Sequence, residues 1–296
     1  MSTHPPPEIM TLKEAALWLR LSERALYDLS RQQRIPAAQI GGKWVFPRAA
    51  LGLWVARQAV LPEHRLAPPP ILAGSHDPLL DWAVRQSGCG LALRSGGSLD
   101  GLMALARQEA CCAAVHVPDA DSGGFNESAT RAEVPGESLV ALNWAWREQG
   151  LILPAGNPRG LLGVADLAQP GLMVAGRQKR AGSHLLLVHL LSEAGLRLDA
   201  LRFLPSPSAT EDEVAAAVAE GRADVGFGIR AEAVQRGLAF VPLVRERLDL
   251  VARPRDWFEP GLQKLLEFAR GQPFRDRAAR LGGYEIGTTG SVAFII

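Results

Sequence analysis

The chain has 296 residues, 47% hydrophobic and 21% charged, which excludes a wholly disordered polymer and leaves ample length for a buried core. No apolar run reaches the ~18 residues of a membrane-spanning helix, and the first residues show no apolar stretch of secretory type, so a cytoplasmic protein without membrane association is expected. Three cysteines, Cys89, Cys111 and Cys112, are too few for a disulfide framework and are expected as buried thiols in a reducing compartment. The net charge of +1 conceals an asymmetry: positions 11–61 carry +5 and the remainder carries −4. A small basic head on a mildly acidic body is the first functional clue.

In the head, Thr11 and Glu14 have the spacing of a capping box. The spacing predicts a helix over 12–19 that buries Leu12, Ala15, Ala16 and Leu19. Ser22 then caps a second helix running to about Gln33. Its inward positions are Ala25, Leu26 and Leu29; its outward ones include Arg24, Tyr27, Asp28 and Arg31. Residues 40–46 read as strand, Gly41-Gly42 turn and strand, a small wing. Pro47 suits the first turn of a third helix carrying Leu51, Leu53 and Trp54.

Two short helices, a wing and a third helix resemble the excisionase-type, MerR-like winged helix-turn-helix. The match is carried by Thr11, Glu14, Ala15, Ala16, Leu19, Ser22, Tyr27, Ile35, Pro36, Gly41, Gly42, Trp44, Pro47, Arg48, Ala50 and Leu51. The resemblance implies double-stranded DNA as a partner. Arg24, Tyr27 and Arg31 would then face the major groove or its flanking phosphates. Lys43, on the wing, would reach phosphate or the minor groove, and Arg48 is a fifth candidate contact. One such module has too little interface for tight specific binding, so a homodimer is expected.

A Pro-rich spacer ends at Pro68-Pro69-Pro70. The domains are therefore expected at 9–57 (head), 58–70 (linker) and 71–296 (body). The body alternates short apolar runs with amphipathic helices, the α/β signal. Strands are expected at 71–73, 90–93, 113–117, 172–175 and 223–229, and helices at 99–108, 185–194 and 213–220. Several of these helices follow a strand through a Ser- or Gly-bearing loop. Such loops present free amides at the positive end of a helix, and open α/β sheets bind ligands there.

These loops resemble those of type II periplasmic-binding-protein folds. More closely, the body resembles the sensor domain related to molybdate-binding proteins. The motifs are GSHDP at 74–78, the Gly97–Leu105 run, REQGLIL at 147–153 with GNP at 156–158, and the run from Ala217 to Ile229. The resemblance implies an α/β body of two lobes, each with its own sheet: lobe one from 71–151 with 249–296, lobe two from 152–248. The chain would cross near Leu151–Leu153 and near Leu248–Leu250. The expected ligand residues are Ser75, His76, Gly97, Ser98, Arg177, Ser183, His184, Thr210 and Glu211. Arg177 would clamp a carboxylate or oxyanion.

Two departures from the family pattern bear on the ligand. In the third loop only Arg177 and Gln178 match, and Thr210-Glu211 replaces a Thr-His pair. A carboxylate at Glu211 in the cleft would repel an oxyanion, which leaves room for a cationic, zwitterionic or hydroxylated ligand. No cofactor is implied, and His76 and His184 are too far apart to read as a metal motif. The expected function is a ligand-responsive transcription regulator sensing a small polar ligand, with oxyanions such as molybdate or tungstate among the candidates. An architectural, excisionase-like DNA-binding protein is the alternative. An enzyme on the α/β body is a third class, for which no nucleophile elbow, P-loop or HExxH motif appears.

Overall fold

The computed structural model describes residues 7–58, 67–119 and 123–296, and the chain divides into two units, 1–66 and 67–296. Most of the Pro-rich spacer, residues 59–66, lies outside the described residues.

The first unit opens with strand β1 (Ile9–Thr11) and helix α1 (Leu12–Leu19). The capping box is complete: the Thr11 hydroxyl accepts from the Glu14 N–H at 3.4 Å, and the Glu14 carboxylate accepts from the Thr11 N–H at 2.8 Å. Helix α2 (Glu23–Arg31) starts at Ser22, whose hydroxyl accepts from the Ala25 N–H at 3.2 Å. It stops before Gln33 because that residue turns left-handed, with φ +53°. Strands β2 (Ala38–Ile40) and β3 (Lys43–Pro47) pair antiparallel around Gly41 and Gly42, whose φ values of +57° and +75° suit glycine.

The three strands run β1-β3-β2, with Ile9 opposite Pro47. Pro47 therefore ends a strand instead of opening helix α3 (Arg48–Gln58), a correction to the sequence reading. Its fixed φ and missing N–H are tolerated at a strand terminus, and three-residue β1 was too short to show alternation. Met10, Ala15, Ala16, Leu26, Ile35, Phe46 and Leu51 form the buried core of this unit.

The second unit is α/β. Strand β4 (Ile71–Ser75), helix α4 (Pro78–Ser87), strand β5 (Ala92–Gly96), helix α5 (Ser98–Ala106) and strand β6 (Cys112–Val115) come first. β4 pairs in parallel with both β5 and β6. Helix α6 (Glu127–Glu133) precedes the long strand β7 (Val140–Leu153). Then follow β8 (Met173–Ala175), α7 (Gly182–Glu193), β9 (Arg202–Phe203), α8 (Glu211–Ala219), β10 (Val225–Ile229) and α9 (Arg230–Gln235). A second long strand, β11 (Ala239–Ala252), leads to α10 (Pro260–Ala269), α11 (Gln272–Leu281), β12 (Tyr284–Glu285) and β13 (Val292–Ile295).

The two lobes do not carry separate sheets. Hydrogen bonding is continuous in the order β5-β4-β6-β11-β7-β10-β8-β9, with β12 and β13 also on β7. The reason is the length of β7 and β11, 14 residues each, which pair antiparallel from Ala239 opposite Leu153 to Ala252 opposite Val140. Irregularities at Pro242/Val244 and Leu248/Asp249 flank the transit, and such bulges bend a strand. β7 has entered lobe two by Gln149, which pairs with Ile229, slightly earlier than expected. β11 is back in lobe one at Asp249, opposite Val115.

The lobes are defined instead by their cores. Leu72, Leu80, Trp144, Leu250, Leu265 and Phe274 pack one face of lobe one; Leu102, Leu105, Val115, Leu139 and Val251 pack the other. In lobe two, Leu151 and Leu153 face Leu187 and Phe227, whereas Ile152 faces Val214 and Val218, as the two-residue strand period requires. The three cysteines are free and buried, and burial pushes the Cys111 thiol up to about 11, so it stays protonated.

Candidate ligand cleft and DNA-binding face

In the first unit, Arg24, Tyr27 and Arg31 are exposed at three- and four-residue spacing along α2, hence on one face. Tyr27 is an exposed aromatic on that face, at 43% of its surface. Lys43 is exposed directly after the Gly41-Gly42 turn, and Arg48, half-buried, donates its N–H to the Glu8 carbonyl at 2.8 Å.

In the second unit, α4, α5, α7 and α8 each begin just beyond a strand. Asp77 caps α4, accepting from the Leu80 N–H at 2.7 Å. Ser75 and Ser98 are buried with their hydroxyl oxygens 2.7 Å apart, and the Ser98 oxygen accepts from the His116 N–H at 3.2 Å. On the other lobe, the Arg177 guanidinium donates to Glu211 Oε1 at 2.8 Å, and the Ser183 hydroxyl bonds to the same oxygen. Arg177 and Glu211 are both buried. The other donors of Arg177 reach the Ala209 carbonyl at 3.0 Å, the Gly96 carbonyl at 3.3 Å and Gln178 at 3.1 Å.

The lobes meet directly here. The bond from Arg177 to Gly96 crosses between them, as does the Leu99 N–H to the Arg180 carbonyl at 3.3 Å. The Arg180 guanidinium reaches back to Asp100 at 2.6 Å, Glu133 at 3.1 Å and the Leu99 carbonyl at 3.1 Å. Glycine is required at two of these approaches: a Cβ on Gly97 would overlap the Arg180 backbone, and one on Gly182 would overlap the His116 carbonyl.

Of the expected ligand residues, the fold thus brings together Ser75 with Ser98, and Arg177 with Ser183 and Glu211, while Gly97 sits at the lobe contact. The other three make different contacts. His76, in the loop before α4, faces Asp81 in the first turn of that helix, Nε2 to Oδ2 at 3.6 Å. His184 lines a mostly apolar pocket of about 220 Å³ together with Arg177, Gln178, Phe203 and Leu204, and burial lowers its pKa. The Thr210 hydroxyl caps α8, accepting from the Glu213 N–H at 3.1 Å.

Between the two pairs runs a buried network that sequence reading did not single out. Arg147 on β7 donates to Asp77 Oδ2 at 3.0 Å and to Glu246 Oε1. Glu246 on β11 accepts from Gln149 Nε2 at 3.0 Å and pairs with His116 Nδ1 at 2.7 Å. The Tyr284 hydroxyl donates to Asp77 at 2.7 Å. Burial alone would raise the Glu246 carboxyl, but Arg147, His116 and the Gln149 amide outweigh it and hold it down at about 2. A nearby carboxyl behaves oppositely: burial, with Asp212 and Glu211 adding negative charge, pushes Glu232 up to about 8. Arg147 and Gln149 lie in the motif at 147–153, and Glu246 lies on β11 outside the motifs named above. None stood out by type, because β7 also carries Asn143 and Glu148 and β11 also carries Arg245, Arg247 and Asp249.

A family profile for the PBP superfamily domain matches residues 81–270. The chain belongs to the PBP superfamily. A second profile, for a helix-turn-helix domain, matches residues 9–59, so a PBP superfamily body follows a head of DNA-binding type. That pairing is the organisation of a DNA-binding regulator with a ligand-binding domain.

Among curated proteins, the chain is similar to the uncharacterized protein YvgK of Bacillus subtilis (strain 168). The two are 25% identical over 302 residues, covering 95% of this chain and 96% of that protein. It is also 32% identical over 80 residues to an uncharacterized protein in the ferredoxin 2Fe-2S gene 5' region of Clostridium pasteurianum, covering 27% and 71%.

Among solved structures, the PBP superfamily fold is shared with a putative phosphate ABC transporter substrate-binding protein from Clostridium perfringens. That match has a TM-score of 0.53 at 12% identity and covers 71% of this chain and 96% of that one. The sulfate-binding protein SubI of Mycobacterium tuberculosis H37Rv gives a TM-score of 0.51 at 15% identity, covering 73% and 86%. A Corynebacterium glutamicum OxyR mutant gives 0.52 at 12% identity, covering 92% and 90%. At these identities the likeness is one of fold.

Proposed function

We propose that the protein is a cytoplasmic, homodimeric, one-component transcription regulator. The head (9–57) binds operator DNA, the Pro-rich linker (58–70) joins it to the body, and the sensor (71–296) closes on a small polar ligand between its lobes. Arg24, Tyr27, Arg31, Lys43 and Arg48 form the DNA contacts, and Ser75, Gly97, Ser98, Arg177, Ser183 and Glu211 belong to the ligand site. The observation that carries this reading is the buried polar network where the two lobes meet, with two helix N-termini from each lobe, in a chain that also carries a basic helix-turn-helix head.

A purely architectural DNA-binding role gives the cleft network no task. An enzymatic role lacks support from the serines: the His116 ring faces Glu246, and only its backbone N–H reaches Ser98. The ligand reading extends to polar compounds generally. A simple oxyanion such as molybdate or tungstate is disfavoured, because the charge of Arg177 is already matched by Glu211.

The test is selection of duplexes from a random-sequence pool by the full chain, then titration of the selected duplex. Sequence-specific retention that is weakened by Arg24→Ala or Arg31→Ala is expected. Retention indifferent to duplex sequence would overturn the regulator reading.

A further inference from the structure

Lobe two holds a cavity that the interlobe site does not account for. Strands β8 and β9 are parallel neighbours at one end of the sheet, and the chain leaves both at their carboxyl ends. Two backbone bonds tie the departing segments together, from the Leu204 N–H to the Val174 carbonyl at 3.0 Å and from the Ser208 N–H to the Gly176 carbonyl at 2.8 Å. One segment advances from 174 to 176 between these ties and the other from 204 to 208, so the second must bulge. Pro207, within that bulge, lines the pocket of about 220 Å³. Ligands of open α/β sheets bind beyond the carboxyl ends of strands, which is where this pocket lies.

Its walls select the body of a guest. Leu198, Phe203, Leu204 and Pro207 make the pocket mostly apolar. An apolar cavity of ~150 Å³ takes up benzene, so this one has room for a single ring with a short substituent. The Phe203 ring rests on Gly176, where a Cβ would come within 2.7 Å of it, and is therefore backed by main chain. An aromatic guest can stack on, or meet edgewise, a ring held in this way.

Its rim selects the charge. No Asp or Glu borders the pocket, whereas Arg177, Lys179 and His184 do. The Arg177 charge is matched by Glu211. Burial, reinforced by the nearby Lys179 charge, outweighs a hydrogen bond to the Arg177 backbone and lowers the His184 pKa, so the imidazole is neutral at pH 7. Arg180, next in the loop, is paired with Asp100 and Glu133, while the exposed Lys179 has no ion-pair partner among the described residues.

We propose that this pocket binds a small aromatic carboxylate, with the ring among Leu198, Phe203 and Leu204 and the carboxylate at the Lys179 ammonium. Because that ammonium is exposed, the pair keeps its contact with water and no bare charge is buried. The inference goes beyond the interlobe site and does not depend on that site taking a ligand. The same loop supplies Arg177, whose guanidinium donates to the Gly96 carbonyl of lobe one, so the guest would lie against the loop through which the lobes touch.

The test is calorimetric titration and thermal unfolding of the full chain with benzoate and phenylacetate. Two controls separate the contributions: benzyl alcohol keeps the ring without the charge, and acetate keeps the charge without the ring. At least one of the aromatic acids should raise the melting temperature, since a ligand of the folded state must stabilise it, and should bind at least tenfold more tightly than either control. Lys179→Met keeps the apolar stem of an exposed side chain; it should weaken the acid at least fivefold and leave benzyl alcohol unchanged. Leu198→Trp, which fills the pocket, should abolish binding of the acid. Absence of saturable binding of both acids at millimolar concentration overturns the proposal, as does acetate binding as tightly as the acids. An affinity for the acid that is unchanged in Lys179→Met or in Leu198→Trp would place any binding elsewhere and overturn it too.

Discussion

Gly182, the first residue of α7, lies against His116 of the opposite lobe so closely that a Cβ would come 2.7 Å from the imidazole ring and overlap the His116 carbonyl oxygen. Two effects compete in Gly182→Ala. Helix propensity alone favours alanine by up to about 1 kcal/mol. The overlap opposes it, and the neighbour cannot yield: the ring is held by Glu246 at 2.7 Å, and the carbonyl is backbone. The substitution should destabilise the closed body by ~1–3 kcal/mol and raise the radius of gyration in solution scattering. Equal or greater stability with an unchanged radius would show that the lobes do not close through this contact.

The second prediction concerns DNA. If Arg24 or Arg31 reads a base edge, replacement by Ala weakens specific binding by ~1–3 kcal/mol at fixed salt. Lys43→Ala, on the wing, should instead weaken all duplexes alike and reduce the salt slope of binding by about one unit. Affinity and salt dependence measured on the selected duplex and a scrambled one separate the two effects. Three variants with wild-type binding would show that the recognition face lies elsewhere.

The elements legible in the sequence are those whose determinants are local. Thr11 with Glu14 and Ser22 with Ala25 are caps made across three residues, and each sits where the spacing placed it. Arg177, Ser183 and Glu211 were visible as loop residues of a familiar pattern, but their pairing was not. Arg177 read as a clamp for a ligand carboxylate, whereas the carboxylate it holds is Glu211, 34 residues on.

The central network was less accessible still. His116 and Glu246 are separated by 130 residues, and Arg147 and Glu246 by 99. Only the 14-residue antiparallel pairing of β7 with β11 brings Arg147 opposite Glu246. That same pairing merges the two expected sheets into one. Strand length and register are non-local quantities, which short windows of periodicity do not report.

The third prediction tests that network. Arg147 is almost fully buried between Asp77 and Glu246, so Arg147→Met would leave Asp77 without a counter-charge and Glu246 with His116 as its remaining ionisable partner. A loss of ~3–5 kcal/mol in denaturant unfolding is expected for breaking a buried pair from one side. Adding Glu246→Gln should recover part of it, giving a coupling energy that neither single variant shows. Additive losses would mean that the two side chains do not depend on each other.

The last prediction uses the two carboxyls whose pKa values move apart. Glu232 is raised from its ordinary 4.5 to about 8 by burial and by the negative charges of Asp212, Glu211 and Asp77, which outweigh Arg236. The folded state therefore holds a proton that the unfolded state releases. Its contribution to stability is full below pH 4.5 and is lost as pH rises through about 8, at up to ~1.4 kcal/mol per pH unit for one proton. Glu246, held at about 2, works in the other direction and in another window: its contribution is present above 4.5 and is lost as pH falls through 2.

Glu232→Gln is neutral at every pH and should remove the slope between 4.5 and 8 that Glu232 supplies. Asp81, Asp249 and Asp256 are also raised by burial, so the quantity to read is the difference between wild type and variant. Unfolding free energies at pH 5, 6, 7 and 8 should show Glu232→Gln gaining on wild type at each step. A constant difference across that range would mean that Glu232 is ionised throughout.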